Sequence, residues 1–329
     1  MKKNFTIMGT GAYGTVLANV LADNGHKVIM YGIDEKQVND IDINNANSTF
    51  FGELQINSNI KATSNLEAAL EECEYIVLGV PTMALRSTIE SISKILTRKV
   101  DFINVAKGFD ETTGNLLSIT VSKLLEEHNI LKSYTGLFGP SIAQEVIERK
   151  PTCVMICNTN MKIAEEISDI FNNEYFSAFP TTALIAAEVS AAAKNTLAIA
   201  AALYKTITDS DNATASIISK GNSDIFELAV HFGADPKDFM NYATIGDLIL
   251  TTMSPKSRNY QLGKKIAESD NPKATLEAQT LTVEGVLTCK VMHDIYSKST
   301  IKSKLFDIMY EILYNYKRPS IVMNDILAR

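Results

Sequence analysis

The sequence predicts an α/β domain built on a mostly parallel sheet, followed by an all-helical second domain. Three observations carry this. Short apolar, β-branched runs alternate with stretches of helical periodicity as far as about residue 180. There the Val/Ile-rich runs stop, and long Ala/Leu/Ile-rich helical patterns occupy the remainder of the 329 residues. The boundary falls near 180–184, giving a first domain over 1–182 and a second over 183–329. At ~100–200 residues per domain, both are long enough to bury a core without disulfide or metal staples.

Residues 5–8, 27–31, 75–80, 100–106, 135–138 and 152–157 read as strands. Between them, 15–23, 83–96, 116–126 and 163–171 space their apolar residues at helical intervals, and Gly25 closes the first helix as a C-cap. Cys153 and Cys157 fall on one face of the last strand run, as small hydrophobes. In the second half, Gly, Asn and Pro punctuate the helices at 210–212, 233–236, 254–259 and 269–272. The stretch 184–204 could span a bilayer by length, but Glu188, Lys194 and Asn195 interrupt it. A charge at mid-membrane costs ~2.5 kcal/mol or more, so the stretch reads as a buried helix of a soluble protein.

Composition narrows the partners. The chain is 46% hydrophobic and 21% charged, with a net charge of −7 and no long basic run, which argues against nucleic acid. Only residues 5–8 separate Lys2-Lys3 from a glycine-rich turn, so no secretory apolar region forms and a cytoplasmic location is expected, without membrane insertion. The four cysteines lack C-x-x-C spacing and the four histidines are scattered, so no metal site is expected.

The chemistry begins at Gly9-Thr10-Gly11-Ala12-Tyr13-Gly14, a G-x-G-x-x-G turn between the first strand and the first helix. Its glycines permit a tight turn and close approach of a pyrophosphate to the helix N-terminus, the signature of a Rossmann-like dinucleotide site. A glycine turn that merely allows tight helix–strand packing is the plainer alternative. Asp34, after the second strand, either bonds the ribose hydroxyls, which favours NAD, or caps the next helix. Lys107 follows the fourth strand run, on the side where open parallel sheets bind ligands, or is an ordinary exposed loop lysine. In Gly139-Pro140-Ser141, Pro140 fits the first turn of a helix and leaves the N–H groups of Ser141 and Ile142 for an anion or carbonyl oxygen; plain helix initiation explains it equally.

Lys194 lies among small side chains in Glu188-Val189-Ser190-Ala191-Ala192-Ala193-Lys194-Asn195 and cannot easily reach water. It therefore either forms a structural ion pair or works on a ligand as a tuned acid or base. Asp247, in an apolar run, is a natural buried partner for a lysine. The stretch 254–259 then gathers hydroxyl, guanidinium and amide donors in Ser257, Arg258 and Asn259, either a cradle for phosphate or a solvated loop.

Together these segments, with Val80-Pro81-Thr82, Gly246-Asp247-Leu248 and Val283-Glu284-Gly285, resemble the bacterial-type NAD(P)-dependent glycerol-3-phosphate dehydrogenases nearly end to end. The resemblance implies reversible hydride transfer between dihydroxyacetone phosphate and sn-glycerol 3-phosphate, feeding phospholipid synthesis, in a cleft between a nucleotide-binding and a helical domain. It implies Lys194 as the group that donates and accepts the proton. It further implies substrate contacts from Lys107, Gly139, Ser141, Lys194, Asp247, Ser257, Arg258 and Asn259. Ala12, Tyr13, Ala143, Arg258 and Glu284 match cofactor positions, with Lys107 near the nicotinamide and Gly9, Gly11, Gly14, Ile33 and Asp34 completing the set.

Departures are specific. Ser190-Ala191 stands where the family usually has a glycine pair, narrowing the approach to the nicotinamide. Ile33 occupies a position usually held by His or Arg, so a cation for a 2′-phosphate is missing; NADH becomes more plausible than usual, and the choice between NADH and NADPH stays open. Residues 204–211 replace an expected glycine-rich segment, and Ser219-Lys220-Gly221 a customary Thr-Arg-Gly. These lie off the proton-transfer group, and activity is expected to survive them. Two other readings stand beside this one: a hydroxyacid or phosphogluconate-type dehydrogenase, and a catalytically dead nucleotide-binding sensor. The expected partner is a small-molecule substrate, with a homodimer as an open alternative for assembly.

Overall fold

A computed structural model describes residues 2–280, 283–323 and 326, and the chain divides into two compact units. The first comprises Met1–Ala106 and Leu117–Leu184; the second comprises Lys107–Leu116 and Ile185–Arg329.

In the first unit, β-branched and aromatic runs pair into one sheet: β1 (Asn4–Met8), β2 (Lys27–Tyr31), β3 (Ile60–Thr63), β4 (Tyr75–Leu78), β5 (Val100–Asn104), β6 (Leu131–Phe138), β7 (Thr152–Cys157) and β8 (Phe176–Thr181). The order is β3-β2-β1-β4-β5-β6-β7-β8, parallel throughout except for the antiparallel pair β6–β7. β3 and β8, which the sequence reading did not include, are the two edges. Helices cover the sheet: Ala12–Asp23, Leu85–Ser93, Leu117–Glu127 and Met161–Phe171 follow the expected periodicity. Phe5, Ile7, Val77, Ile103, Leu137 and Val154 form the centre of its core, and Phe5 stacks on Tyr75 with ring centroids 4.8 Å apart. Chain order reverses between β1 and β4, which is where open α/β sheets leave a crevice at their carboxyl ends.

The second unit is helical among its described residues. Its centre is the helix Leu184–Thr208, long and apolar enough to cross a membrane, yet 94% of its apolar window is buried inside the protein. Asp211–His231, Arg258–Ser269, Glu284–Lys298 and Lys304–Leu313 pack around the same core of Leu197, Ile199, Leu203, Leu228, Phe306 and Met309. Packing is close: a Cβ at Gly263 would lie 2.3 Å from the Ile199 carbonyl oxygen. The punctuation read from the sequence becomes caps, with Ser210, Asp235, Ser257 and Asn271 each accepting a backbone N–H at a helix start. The segment 107–116 joins this unit because Phe109 and Leu116 are buried in its core, where Phe109 stacks on Phe232. A single cut at 182/183 does not capture that excursion.

Candidate active site

The glycine-rich turn leaves the carboxyl end of β1. Gly9 has φ +107°, and a Cβ there would lie 2.9 Å from the Gly79 carbonyl oxygen at the tip of β4, so only glycine fits. Gly11 is different: its φ is −69° and an added Cβ meets nothing within 4 Å. Packing does not demand glycine there; open space does lie in front of the helix Ala12–Asp23. That helix start has no side-chain cap and no acidic residue in its first turn, so its N–H groups and positive dipole end are available to an anion. These features fit a dinucleotide pyrophosphate, which the backbone of 11–14 would hold.

Two groups outside the motif brace the turn. Asn47, fully buried, donates through Nδ2 to the Thr10 carbonyl (2.9 Å) and to Thr15 Oγ1 (2.8 Å), and Thr10 Oγ1 donates to Gln37 Oε1 at 2.7 Å. Nothing in the local sequence marks Asn47, because its partners lie 37 and 32 residues away. Tyr13 Oη lies 2.9 Å from Ser141 Oγ, joining the first turn to the Gly139-Pro140-Ser141 turn. There the expectation is corrected: Pro140 does not sit in a helical first turn. The helix is Ala143–Ile147, with Ile142 as its N-cap, and Ser141 Oγ donates to the Gly139 carbonyl at 3.1 Å. Gly139, at φ +153° with a Cβ position 2.8 Å from Val154 Cα, accepts no side chain, and the backbone stays non-helical until Ile142, which is extended.

Asp34 caps the helix Glu35–Asn44, its Oδ1 accepting from Lys36 N (2.9 Å) and Gln37 N (3.3 Å), so the capping alternative is realised. Ile33 beside it is 89% exposed.

In the second unit, one carboxylate gathers two lysines. Asp247 Oδ1 lies 2.5 Å from Lys194 Nζ and Oδ2 lies 2.9 Å from Lys107 Nζ. Lys194 Nζ also donates to Thr251 Oγ1 at 2.8 Å, and that hydroxyl donates to the Asp247 carbonyl. Local folding explains the placement. Asn241 caps a π-helical turn, Tyr242–Gly246, which runs straight into the helix Asp247–Met253 and so delivers Asp247 to its first position. Lys194 is nearly fully buried. Desolvation, reinforced by the neighbouring Lys107 charge, outweighs the pull of Asp247 and brings its pKa down to about 8. Burial pushes the Asp247 carboxyl upward, but the two ammonium groups together overcome it and hold it below its usual value. Lys107 is thus an ion-paired, largely covered side chain rather than a free loop lysine.

The 254–259 stretch divides. Ser257 caps the helix Arg258–Ser269, and Arg258, exposed at its first position, sets a cation against the positive end of the dipole. That arrangement is unfavourable by itself and becomes favourable with an anion present. Asn259 turns inward instead: its Nδ2 donates to Asn195 Oδ1 (3.0 Å) and its Oδ1 accepts from Gly285 N (3.1 Å). Asn195 Nδ2 in turn donates to Glu284 Oε2 at 3.2 Å. Asn259 and Glu284 are therefore bound into a network that fixes the residue after Lys194. Both residues read as ligand contacts from the sequence, which reveals neither their common link through Asn195 nor the place of Thr251 beside Lys194.

Comparison with known proteins finds the same family over both parts of the chain. The N-terminal family model of NAD-dependent glycerol-3-phosphate dehydrogenase matches residues 4–164, and its C-terminal counterpart matches 183–324. The chain is 46% identical to a Mesoplasma florum protein named glycerol-3-phosphate dehydrogenase [NAD(P)+], over 99% of this chain and 97% of that one. It is 33% identical to one of the same name from Staphylococcus saprophyticus, over 98% and 97%. The crystal structure of a glycerol-3-phosphate dehydrogenase from Coxiella burnetii superposes with a TM-score of 0.91 at 26% identity, covering 100% of this chain and 99% of that one.

Proposed function

The chain belongs to the NAD-dependent glycerol-3-phosphate dehydrogenase family, it reduces dihydroxyacetone phosphate reversibly to sn-glycerol 3-phosphate with NAD(P)H, and we propose that Lys194 is the acid–base group of that reaction. When bound, the nicotinamide supplies or accepts the hydride. As the carbonyl carbon gains a hydride, its oxygen gains negative charge, and the Lys194 ammonium gives that oxygen a proton; in the oxidation the neutral amine takes the proton back. The observation that carries this reading is the buried ammonium clamped between Asp247 and Thr251, with a pKa near 8 rather than above 10. A catalytic acid is most effective near the working pH. Asp247 positions Lys194, and Lys107 neutralises the remaining carboxylate oxygen while holding the ammonium acidic. The exposed Arg258, with Ser257, receives the substrate's phosphate, supported by its place at a helix N-terminus.

The same relatives favour this reading over a hydroxyacid dehydrogenase or an inert sensor. The proposal extends to a soluble, cytoplasmic enzyme, supported by the burial of its membrane-length helix, and to a homodimer, which sedimentation equilibrium tests. Initial rates with dihydroxyacetone phosphate and each reduced cofactor test the function. NADH oxidation dependent on that ketone is expected; a folded sample that turns over with neither cofactor would overturn it.

A further inference from the structure

Ser190 stands one helical turn before Lys194, on the same face of Leu184–Thr208. It is 1% exposed, and among the described residues its Oγ has no hydrogen-bond partner. Buried helical hydroxyls ordinarily bond the carbonyl four residues back. On this same helix Thr206 does so to Ala202 and Thr208 to Tyr204, as does Thr251 to Asp247. Ser190 forgoes that bond, which leaves a buried hydroxyl with its desolvation uncompensated.

Its surroundings indicate what the hydroxyl is for. Ala191, Ala192 and Ala193 are completely buried and offer no polar atom beyond the helix backbone. A long helical side chain leans back over the turn N-terminal to its own Cα, so the Lys194 stem runs across the turn that carries Ser190. The Lys194 ammonium, already bonded to Asp247 and Thr251, does not take up the serine oxygen. The orphaned donor therefore shares a helix face with the group that handles the proton, one turn away.

We infer that Ser190 is a further specificity-determining residue of this site, donating a hydrogen bond from Oγ to a carbonyl oxygen of a bound ligand. The inference rests on the assignment of Lys194 as the acid–base group. Two ligands carry such an oxygen, the ketone of the substrate and the carboxamide of the nicotinamide.

The test compares Ser190→Ala with the unaltered enzyme in three measurements: KM for dihydroxyacetone phosphate, Kd for NADH by fluorescence titration, and melting temperature with and without each ligand. Losing the bond is expected to weaken binding about threefold to tenfold on one arm and to shrink the melting shift produced by the same ligand. A raised KM with unchanged Kd identifies the ketone; a raised Kd identifies the carboxamide. The ligand-free protein should melt no lower than before, because a buried unsatisfied hydroxyl has been removed and alanine is the better helix former. Ser190→Gly repeats the comparison, so that a loss common to both variants belongs to the hydroxyl. Unchanged affinities on both arms, or a lower melting temperature that accounts for the loss, overturn the inference. Failure of the underlying reading shows elsewhere, as near-normal turnover in Lys194→Ala.

Discussion

Replacing Asp247 by Asn keeps the shape and one acceptor oxygen but removes the negative charge that contacts both Lys194 and Lys107. At about 3 Å and an effective dielectric constant of ~20, an ion pair is worth roughly 5 kcal/mol, an upper bound of about four pK units. The amide dipole, Thr251 and the Glu284 charge recover part of this, while the repulsion from Lys107 remains. A net fall of about two units, from about 8 toward 6, is a reasonable working value for Lys194. In the reduction Lys194 must be protonated, so kcat is full below its pKa and falls as pH rises through it. For the unaltered enzyme that fall is expected near pH 8. At pH 7 the protonated fraction drops from ~0.9 to ~0.1 in Asp247→Asn, an approximately tenfold lower kcat that recovers as the pH is lowered toward 5.5. The assay is kcat for dihydroxyacetone phosphate reduction between pH 5.5 and 9, with NADH saturating. A loss equal at every pH, or a limb still centred near 8, would refute the electrostatic account and leave Asp247 a purely geometric support.

Lys194→Ala should lower kcat by about two to four orders of magnitude with NADH affinity intact, and adding Asp247→Asn should cost little more if the pair acts as one unit; steady-state kinetics of single and double variants check both. Arg258→Met should raise KM for dihydroxyacetone phosphate at least tenfold, since a charge-assisted bond to phosphate is worth ~1.5–3 kcal/mol, while unphosphorylated dihydroxyacetone, a poor substrate, should lose nothing further. An equal loss for both substrates would move Arg258 to the cofactor or the fold. Ile33→Arg, at a site 89% exposed, should shift the kcat/KM ratio toward NADPH by offering its 2′-phosphate a cation; an unchanged ratio places the determinant elsewhere.

The legible parts of the fold were those with strong local patterns. Buried central strands advertise themselves as apolar runs, and β1, β4, β5 and β7 did so. The two strands that escaped are the sheet's edges, and for understandable reasons. β3 has only four residues, two of them polar, and β8 contains Pro180, which weakens any strand reading yet is tolerated where no neighbour needs its N–H. At the site, Lys194 was conspicuous as a charge in an alanine-rich helix, and Asp247 as a charge in an apolar run. Their meeting with Lys107 was not legible, because 140 residues separate Lys107 from Asp247 and no periodicity spans that distance. The bonds of Asn259 to Asn195 and Gly285 were equally illegible, since those partners lie 64 and 26 residues away.

The excursion of 107–116 has a bearing on how the molecule is made. Its lysine and its two core side chains leave the ribosome well before the helices they belong with. At ~5–20 residues per second, Asp247 emerges about 7–28 s after Lys107. Through that interval Phe109 and Leu116 have no second core to enter, and the nascent chain carries two unsheltered hydrophobes just after β5. The three-residue ionic cluster is consequently a late product of biosynthesis. A fragment beginning at 183 lacks both the cation and the aromatic ring that the second unit draws from the first third of the chain.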